Sequence, residues 1–424
     1  MPEKNCCERL WRVECSASAL FKFIIHHPKI LGFGVLLTLF SSFGQTFLIA
    51  IFVPELLSTF EIGAGKFGML YAGATLASAM CLPYVGRLLD RIPPRRISLF
   101  AAAGLASSCF LMAGAWSLSA LFAGLIGLRF FAQGLMGLAS STTMARTFDK
   151  GRGKALSVAS LGYPIGEGLF PLTVVLLIQA IGWRMSWCVI GIAVLCLLPP
   201  AIFFLIGKSS GMTSAESTTE EHAEKPVKPN ASTRSFFRDP VFYLLMPANV
   251  LMPIILTALF LYQIPLGASK GWAADTMARG FIGFAAVRVI AAFWTGPIID
   301  YFTALRVLRW QLVPAIAGMA VLLAGGGSWA AYLYLALVGM SQGIAGPVMT
   351  ATWAEVYGVD RLGSIKGIVT TCAIFGTALG PLILGFALDA GAGYDHAVAV
   401  SLITLVAVVF ITVIGCRMAD QRRL

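Results

Sequence analysis

The chain of 424 residues is 58% hydrophobic and 12% charged, with a formal net charge of +11. Soluble domains carry about 45–50% apolar and about 25% charged residues, so the composition excludes a soluble globular protein and marks a polytopic membrane protein. Nine cysteines lie scattered without metal-ligand spacing, and the four histidines fall outside the apolar runs, which argues against a zinc, haem or Cys–His catalytic centre.

The N-terminal segment, residues 1–29, carries Lys4, Arg9, Arg12, Lys22 and Lys29 beside Glu3, Glu8 and Glu14. The apolar run that follows is too long for a signal-peptide core and is read as an uncleaved first span. Cys6 and Cys7 are read as free cytoplasmic thiols, with lipidation as the alternative. Six apolar segments then cover 30–54, 66–85, 97–117, 119–144, 155–180 and 185–207, and six more cover 241–264, 275–298, 307–327, 329–350, 365–388 and 396–416. Each is close to the ~20 residues of a spanning helix, and open strands would leave backbone groups unsatisfied in lipid. The expectation is an all-α membrane protein with twelve transmembrane helices. Residues 30–207 and 241–416 form the two bundles, 208–240 a polar, proline-punctuated linker expected to be largely disordered, and 417–424 a tail. Asn230-Ala231-Ser232 in that linker is a chance match to a glycosylation sequon.

Of the 31 Lys and Arg residues, 25 fall on one side of this arrangement, four on the other (Lys66, Arg184, Lys270, Arg279) and two, Arg129 and Arg288, within spans. The positive-inside rule then places both termini in the cytoplasm of an integral plasma (inner) membrane protein. The same asymmetry accounts for the net charge without nucleic-acid binding.

The halves repeat. Gly86–Arg96 (GRLLDRIPPRR) corresponds to Gly296–Arg306 (GPIIDYFTALR), Gln133-Gly134 to Gln342-Gly343, and Lys154 to Lys366. Gly162-x-x-x-Gly166 is likewise mirrored by Gly376-x-x-x-Gly380. Parallel six-helix repeats organise many secondary transporters, with substrate held near the midplane between the halves. Gly86-Arg87-Leu88-Leu89-Asp90-Arg91, followed by Arg95-Arg96, resembles the loop 2–3 signature of the major facilitator superfamily. Arg129-Phe130-Phe131-Ala132-Gln133-Gly134 resembles that family's fourth-helix motif. Pro93-Pro94 departs from the signature, which has glycine and a basic residue there. The resemblance implies two parallel six-helix repeats, with spans 1, 4, 7 and 10 lining a cavity and 2, 5, 8 and 11 flanking it. Gly86, Asp90, Arg91, Arg95, Asp300 and Arg306 are the gating candidates, because charged pairs at loop ends form in one state of a rocking transporter and break in the other. A plain positive-inside loop is the alternative.

Three ionisable residues lie well inside spans: Arg129, Glu167 and Arg288. Such positions are costly, about 2.5–3.5 kcal/mol for an arginine on insertion scales, and point to function. Arg288 has no charged neighbour in its own span and suits a bidentate carboxylate ligand. An arginine in span 8 also resembles the monocarboxylate and oxalate–formate branch of the superfamily, which implies binding of a substrate carboxylate. The alternative for Arg288 is bonding to backbone carbonyls or to a carboxylate of the other half. Glu167 is read either as a proton carrier or as a fixed ion pair to Arg129, and Arg129 either as that pair or as a coupling element. Gln45, Gln133, Gln263 and Gln342 are candidates to orient a ligand, with interhelical hydrogen bonding as the equal alternative.

The reading is a secondary transporter that moves a small organic anion by alternating access, coupled to protons, acting as a monomer in the bilayer without a cofactor, metal or nucleic-acid partner. The alternatives are a proton-coupled drug efflux antiporter and a non-transporting sensor of the same fold. An enzyme is disfavoured, because neither a nucleophile–His pair nor a nucleotide-binding loop occurs.

Overall fold

Proline and glycine set many of the helix boundaries. A computed structural model describes residues 22–89, 92–148, 151–206, 237–358 and 362–422, and all regular elements among them are helical. Eleven helical runs are long and apolar enough to cross a bilayer. One of these, Arg152–Leu205, is two helices meeting at Gly182, whose φ of 76° and ψ of 164° suit glycine. The twelve are α1 Pro28–Thr59, α2 Ala64–Leu89, α3 Pro94–Ala113, α4 Leu118–Thr147, α5 152–181 and α6 183–205. The second set is α7 Pro240–Leu261, α8 Ala274–Phe302, α9 Ala304–Ala324, α10 Ser328–Tyr357, α11 Leu362–Asp389 and α12 Tyr394–Gln421. Prolines start α1, α3 and α7 in the first turn, where their missing N–H costs nothing. Twelve crossings return the chain to the end of the bundle at which α1 began; that end is called the termini side below.

Several helix boundaries differ from expectation, among them the end of α10, which runs through Tyr357. A short helix at 22–26 already precedes α1, and α12 stays helical through Gln421. The expected linker lies almost wholly outside the described residues, as do Asp90, Arg91 and the sequon.

The repeat is visible in how glycines let helices touch. On α5, a Cβ at Gly162 would stand 2.3 Å from the Val35 carbonyl of α1, and one at Gly166 would meet Ser42 Oγ. On α11, a Cβ at Gly380 would collide with the Ile254 carbonyl of α7, and one at Gly376 with the Ile254 side chain. Gly134 packs α4 on Leu82 of α2, and Gly343 packs α10 on α8, where a Cβ would collide with the Arg288 carbonyl. The α5–α1 and α4–α2 contacts thus recur as α11–α7 and α10–α8. The fold is two parallel six-helix repeats, each with its own buried aromatics: Phe33, Phe52, Phe67 and Trp187 in the first, Phe242, Phe281 and Trp353 in the second.

The halves meet at the far side. Asp389 Oδ2 accepts the Gly65 N–H at 2.9 Å, Tyr262 donates its hydroxyl to the Ala64 carbonyl at 2.7 Å, and Gln263 Nε2 donates to the Phe47 carbonyl at 3.0 Å. Phe47 stacks on Phe281 across the same seam. Along α8 the run of buried residues thins out after Ala285: Thr295 is still buried, while Phe293, Trp294 and Ile298 are exposed. Met80 and Tyr84 on the last turns of α2 are exposed as well. The halves are thus sealed against each other at the far side.

Candidate functional site

Two cavity helices lose their regular geometry near the seam. In α1 the helix tightens over Ser41–Gly44 and opens at Gln45, whose φ of −80° and ψ of 153° are extended, before resuming at Thr46. Serine hydroxyls compete with the helical ladder here: Ser41 donates to the Thr38 carbonyl at 2.8 Å. Gly44 is pressed against α4, where a Cβ would lie 2.3 Å from the Leu128 carbonyl. In α7 the helix breaks at Tyr262 and restarts as Gln263–Ser269. Discontinuous helices of this kind free backbone groups beside a cavity.

Arg288 stands midway along α8 and Glu167 midway along α5. Their side chains form an ion pair between Arg288 NH1 and Glu167 Oε1, joining the two halves 121 residues apart. The pair sits at the floor of the sealed region. Just farther in, Gly168 lets α5 approach Ala285, with a Cβ distance of 3.4 Å. The two partners differ in environment. The Glu167 side chain is buried, and its Oε2 is enclosed without a hydrogen-bond partner among the described residues. The Arg288 side chain is 33% exposed and lies 6.0 Å from the Phe284 ring. One turn before Glu167, the Tyr163 hydroxyl faces Ser41 and rests on Gly137, where a Cβ would be 2.7 Å away. Phe43 and Phe170, 4.7 Å apart, add an apolar wall. A guanidinium with spare donors, an unpartnered carboxylate oxygen and a phenol thus sit together beside aromatic rings.

The Arg129–Glu167 pair, one of the two roles open to each residue, is not formed in this structure. Arg129 is buried within the first half, where Nε donates to Thr75 Oγ1 and NH1 to the Gly44 carbonyl, each at 3.1 Å. Its guanidinium lies 4.9 Å from the Tyr71 ring, and Tyr71 shares a 2.6 Å hydrogen bond with Thr46. Neutral acceptors hold Arg129 because α1 opens at Gly44 and so presents a free carbonyl, while Glu167 points to the other half. In this conformation Arg288 bonds the Glu167 carboxylate across the seam. Arg129 also stands on a π-helical turn, Leu128–Met136, which sequence periodicity does not reveal.

The glutamines separate. Gln263 is buried and bridges the halves through Phe47. Gln45 and Gln133 are half-buried where α1 opens beside α4, and a Cβ at Gly44 would stand 2.8 Å from the Gln133 backbone nitrogen. Gln342 is half-buried, next in sequence to Gly343, the residue that packs α10 on α8. Among the gating candidates, Gly86 faces open space, and Arg95 stacks on Phe203 of α6 at 3.9 Å. Asp300 and Arg306 are exposed. The carboxylate that meets a helix N-terminus in this region is Glu355, whose Oε2 accepts the Leu305 N–H at 3.2 Å. Sequence reasoning missed Tyr163, Tyr71 and Glu355. The i, i+4 spacing of Tyr163 and Glu167 on one helix face is the signal that finds the first.

The family model for the Major Facilitator Superfamily matches residues 35–381. Among solved structures, the fold is similar to a bacterial homologue of the human lysosomal transporter Spinster in an inward-facing, unoccupied conformation. The TM-score is 0.73 at 15% identity, over 93% of this chain and 98% of that one. It is also similar to the nucleoside transporter NupG, with a TM-score of 0.67 at 14% identity, over 92% of this chain and 97% of that one. No curated protein matches the sequence.

Proposed function

The chain belongs to the major facilitator superfamily, and from that premise we propose that it carries a small organic anion, monocarboxylate-like, together with a proton. The observation that carries this reading is the Arg288–Glu167 pair, which joins the halves and leaves Glu167 Oε2 enclosed and unpartnered. In the empty carrier the two charges neutralise each other. An entering carboxylate takes the guanidinium bidentately and so releases Glu167. An unpaired buried carboxylate is strongly disfavoured, so Glu167 takes up a proton as it lets go. Anion and proton therefore load together, and the loaded site carries no net charge through the seam. Departure of the anion restores the pair and expels the proton. Tyr163 offers a hydroxyl to the anion, and Phe43, Phe170 and Phe284 suit an apolar tail. With 25 of the Lys and Arg residues on the termini side, that side is assigned to the cytoplasm, and the conformation is inward-open.

The test is uptake of a panel of labelled monocarboxylates, with one lipophilic cation, into proteoliposomes with and without a pH gradient. Arg288→Gln is expected to lower anion uptake about a hundredfold, the scale of a lost charge-assisted pair. Glu167→Gln is expected to keep anion exchange but lose accumulation driven by the pH gradient. Extrusion of the cation with no anion uptake would overturn the reading in favour of drug efflux.

A further inference from the structure

Between the termini-side ends of α4 and α5 lies an open cavity of about 370 Å³, lined by Ser141, Thr142, Ala145, Arg146, Arg152 and Leu156. Two guanidinium groups border it from opposite helices, two hydroxyls sit on the α4 wall, and Ala145 and Leu156 form an apolar base. The proposed transport cycle uses none of these residues. The α5 wall is also the start of a helix whose N-cap, Gly151, has a φ of 87° and no side chain to cap the first-turn N–H groups. The end of the loop is anchored from outside. Phe23, in the short helix at 22–26, and His27, just after it, each place their rings 5.1 Å from Phe148, and Phe23 rests on Gly151.

The internal repeat shows what is unusual here. The offset that relates Gln133 to Gln342 relates Ser141 to Thr350, and Lys366 is the counterpart of Lys154. In the second half Lys366 Nζ donates to Thr350 Oγ1 at 3.1 Å, so that groove meets its hydroxyl with its own cation. In the first half Ser141 Oγ turns to the Leu138 carbonyl of its own helix at 3.1 Å, and the space is lined by two arginines instead.

We propose that this cavity binds a phosphate group. Planar guanidinium forks suit phosphate oxygens bidentately, the helix start adds positive potential, and Thr142 lines the same wall with its hydroxyl-bearing side chain. Basic pockets between helix ends at this membrane face hold phospholipid headgroups. A free phosphate ester presents the same oxygens, and the experiment separates the two sources.

The purified protein is reconstituted in nanodiscs of phosphatidylcholine with and without phosphatidylglycerol, and retained lipid is counted by native mass spectrometry. Binding of inorganic phosphate is measured separately in lipid-free detergent. Arg146→Gln/Arg152→Gln is compared with wild type and with Arg238→Gln/Arg417→Gln, which removes the same charge from the same face. Retention of phosphatidylglycerol that falls roughly tenfold or more only in Arg146→Gln/Arg152→Gln identifies a headgroup site. Saturable phosphate binding lost only in that variant identifies a soluble phosphate site. Equal binding by all three proteins, or no binding of either probe by wild type, overturns the proposal. Melting curves confirm that each variant is folded.

Discussion

At the scale of single residues, position relative to the seam separates the three charges inside the spans. Arg129 faces inward to its own bundle and is satisfied by Thr75, the Gly44 carbonyl and the Tyr71 ring. Arg288 and Glu167 face each other across the halves and satisfy only part of their hydrogen-bonding capacity on one another. Tyr163 is the neutral group nearest to this incomplete pair along α5. If its hydroxyl touches the anion, Tyr163→Phe removes one hydrogen bond, worth about 0.5–1.5 kcal/mol. The expected outcome is a KM for the transported anion raised several-fold, with the maximal rate and the melting temperature close to wild type. Concentration-dependent uptake measures both parameters. A fall in maximal rate with KM unchanged would instead put the phenol on the proton's route, and no change in either would remove it from the site.

At the scale of elements, the termini-side ends of α7, α10 and α12 are tied by one carboxylate. Asp239 Oδ1 caps α7 through the Val241 N–H at 2.9 Å, Oδ2 accepts from Tyr357 at 3.1 Å, and Arg422 donates to both oxygens at 2.7–2.8 Å. Burial would raise the Asp239 carboxyl, but the hydrogen bonds from Arg422, Val241 and Tyr357 outweigh it and hold the group below the ordinary carboxylate value. The native state therefore binds fewer protons at this group than the unfolded chain does. Its stabilisation is present above the unfolded carboxylate pKa, about 4, and is lost as pH falls through the lower native value. Asp239→Asn should thus cost about 1 kcal/mol near neutral pH, the scale of a half-exposed pair plus a helix cap, and the difference from wild type should shrink in acid. Detergent melting curves at several pH values measure it; a pH-independent difference would assign the loss to packing. This clasp was not legible in the sequence, because Asp239, Tyr357 and Arg422 are far apart along the chain. The glycine pairs were legible, since a repeated Gly-x-x-x-Gly at constant offset survives any packing angle. The opened turn at Gln45 and the π-helical turn around Arg129 were not, because both preserve the apolar run that identifies a span.

At the scale of the whole molecule, the twelve spans and their two-fold repetition followed from apolar length and matched motifs. The state of the molecule did not, because it depends on which contacts close across the seam. Arg288 and Glu167 were each conspicuous as charges in apolar windows, and only the packing of α5 on α8 makes them partners. The closing contacts gather at the far side. Asp389 meets the Gly65 N–H at the positive end of α2. A Cβ at Gly385 would come within 2.5 Å of the Ala64 carbonyl, and one at Gly68 within 2.6 Å of the Pro381 carbonyl. Backbone-to-backbone approach this close tolerates no side chain, so Gly385→Val should prise α11 from α2 while leaving the interior of each half intact. Asp389→Asn weakens the same closure by removing charge and adding no bulk, at about 0.3–1 kcal/mol. A rocking carrier answers either change by shifting its population toward the far-side-open state. Spin labels at Lys66→Cys and His396→Cys, both exposed at far-side helix starts, report the opening in a cysteine-free background. The expected outcome is a longer distance population in Gly385→Val and a smaller gain of the same population in Asp389→Asn. An unchanged distance in both variants would show that α2 and α11 do not close the far side, and that the seam is held by the Gln263–Phe47 and Phe47–Phe281 contacts together with the Arg288–Glu167 pair.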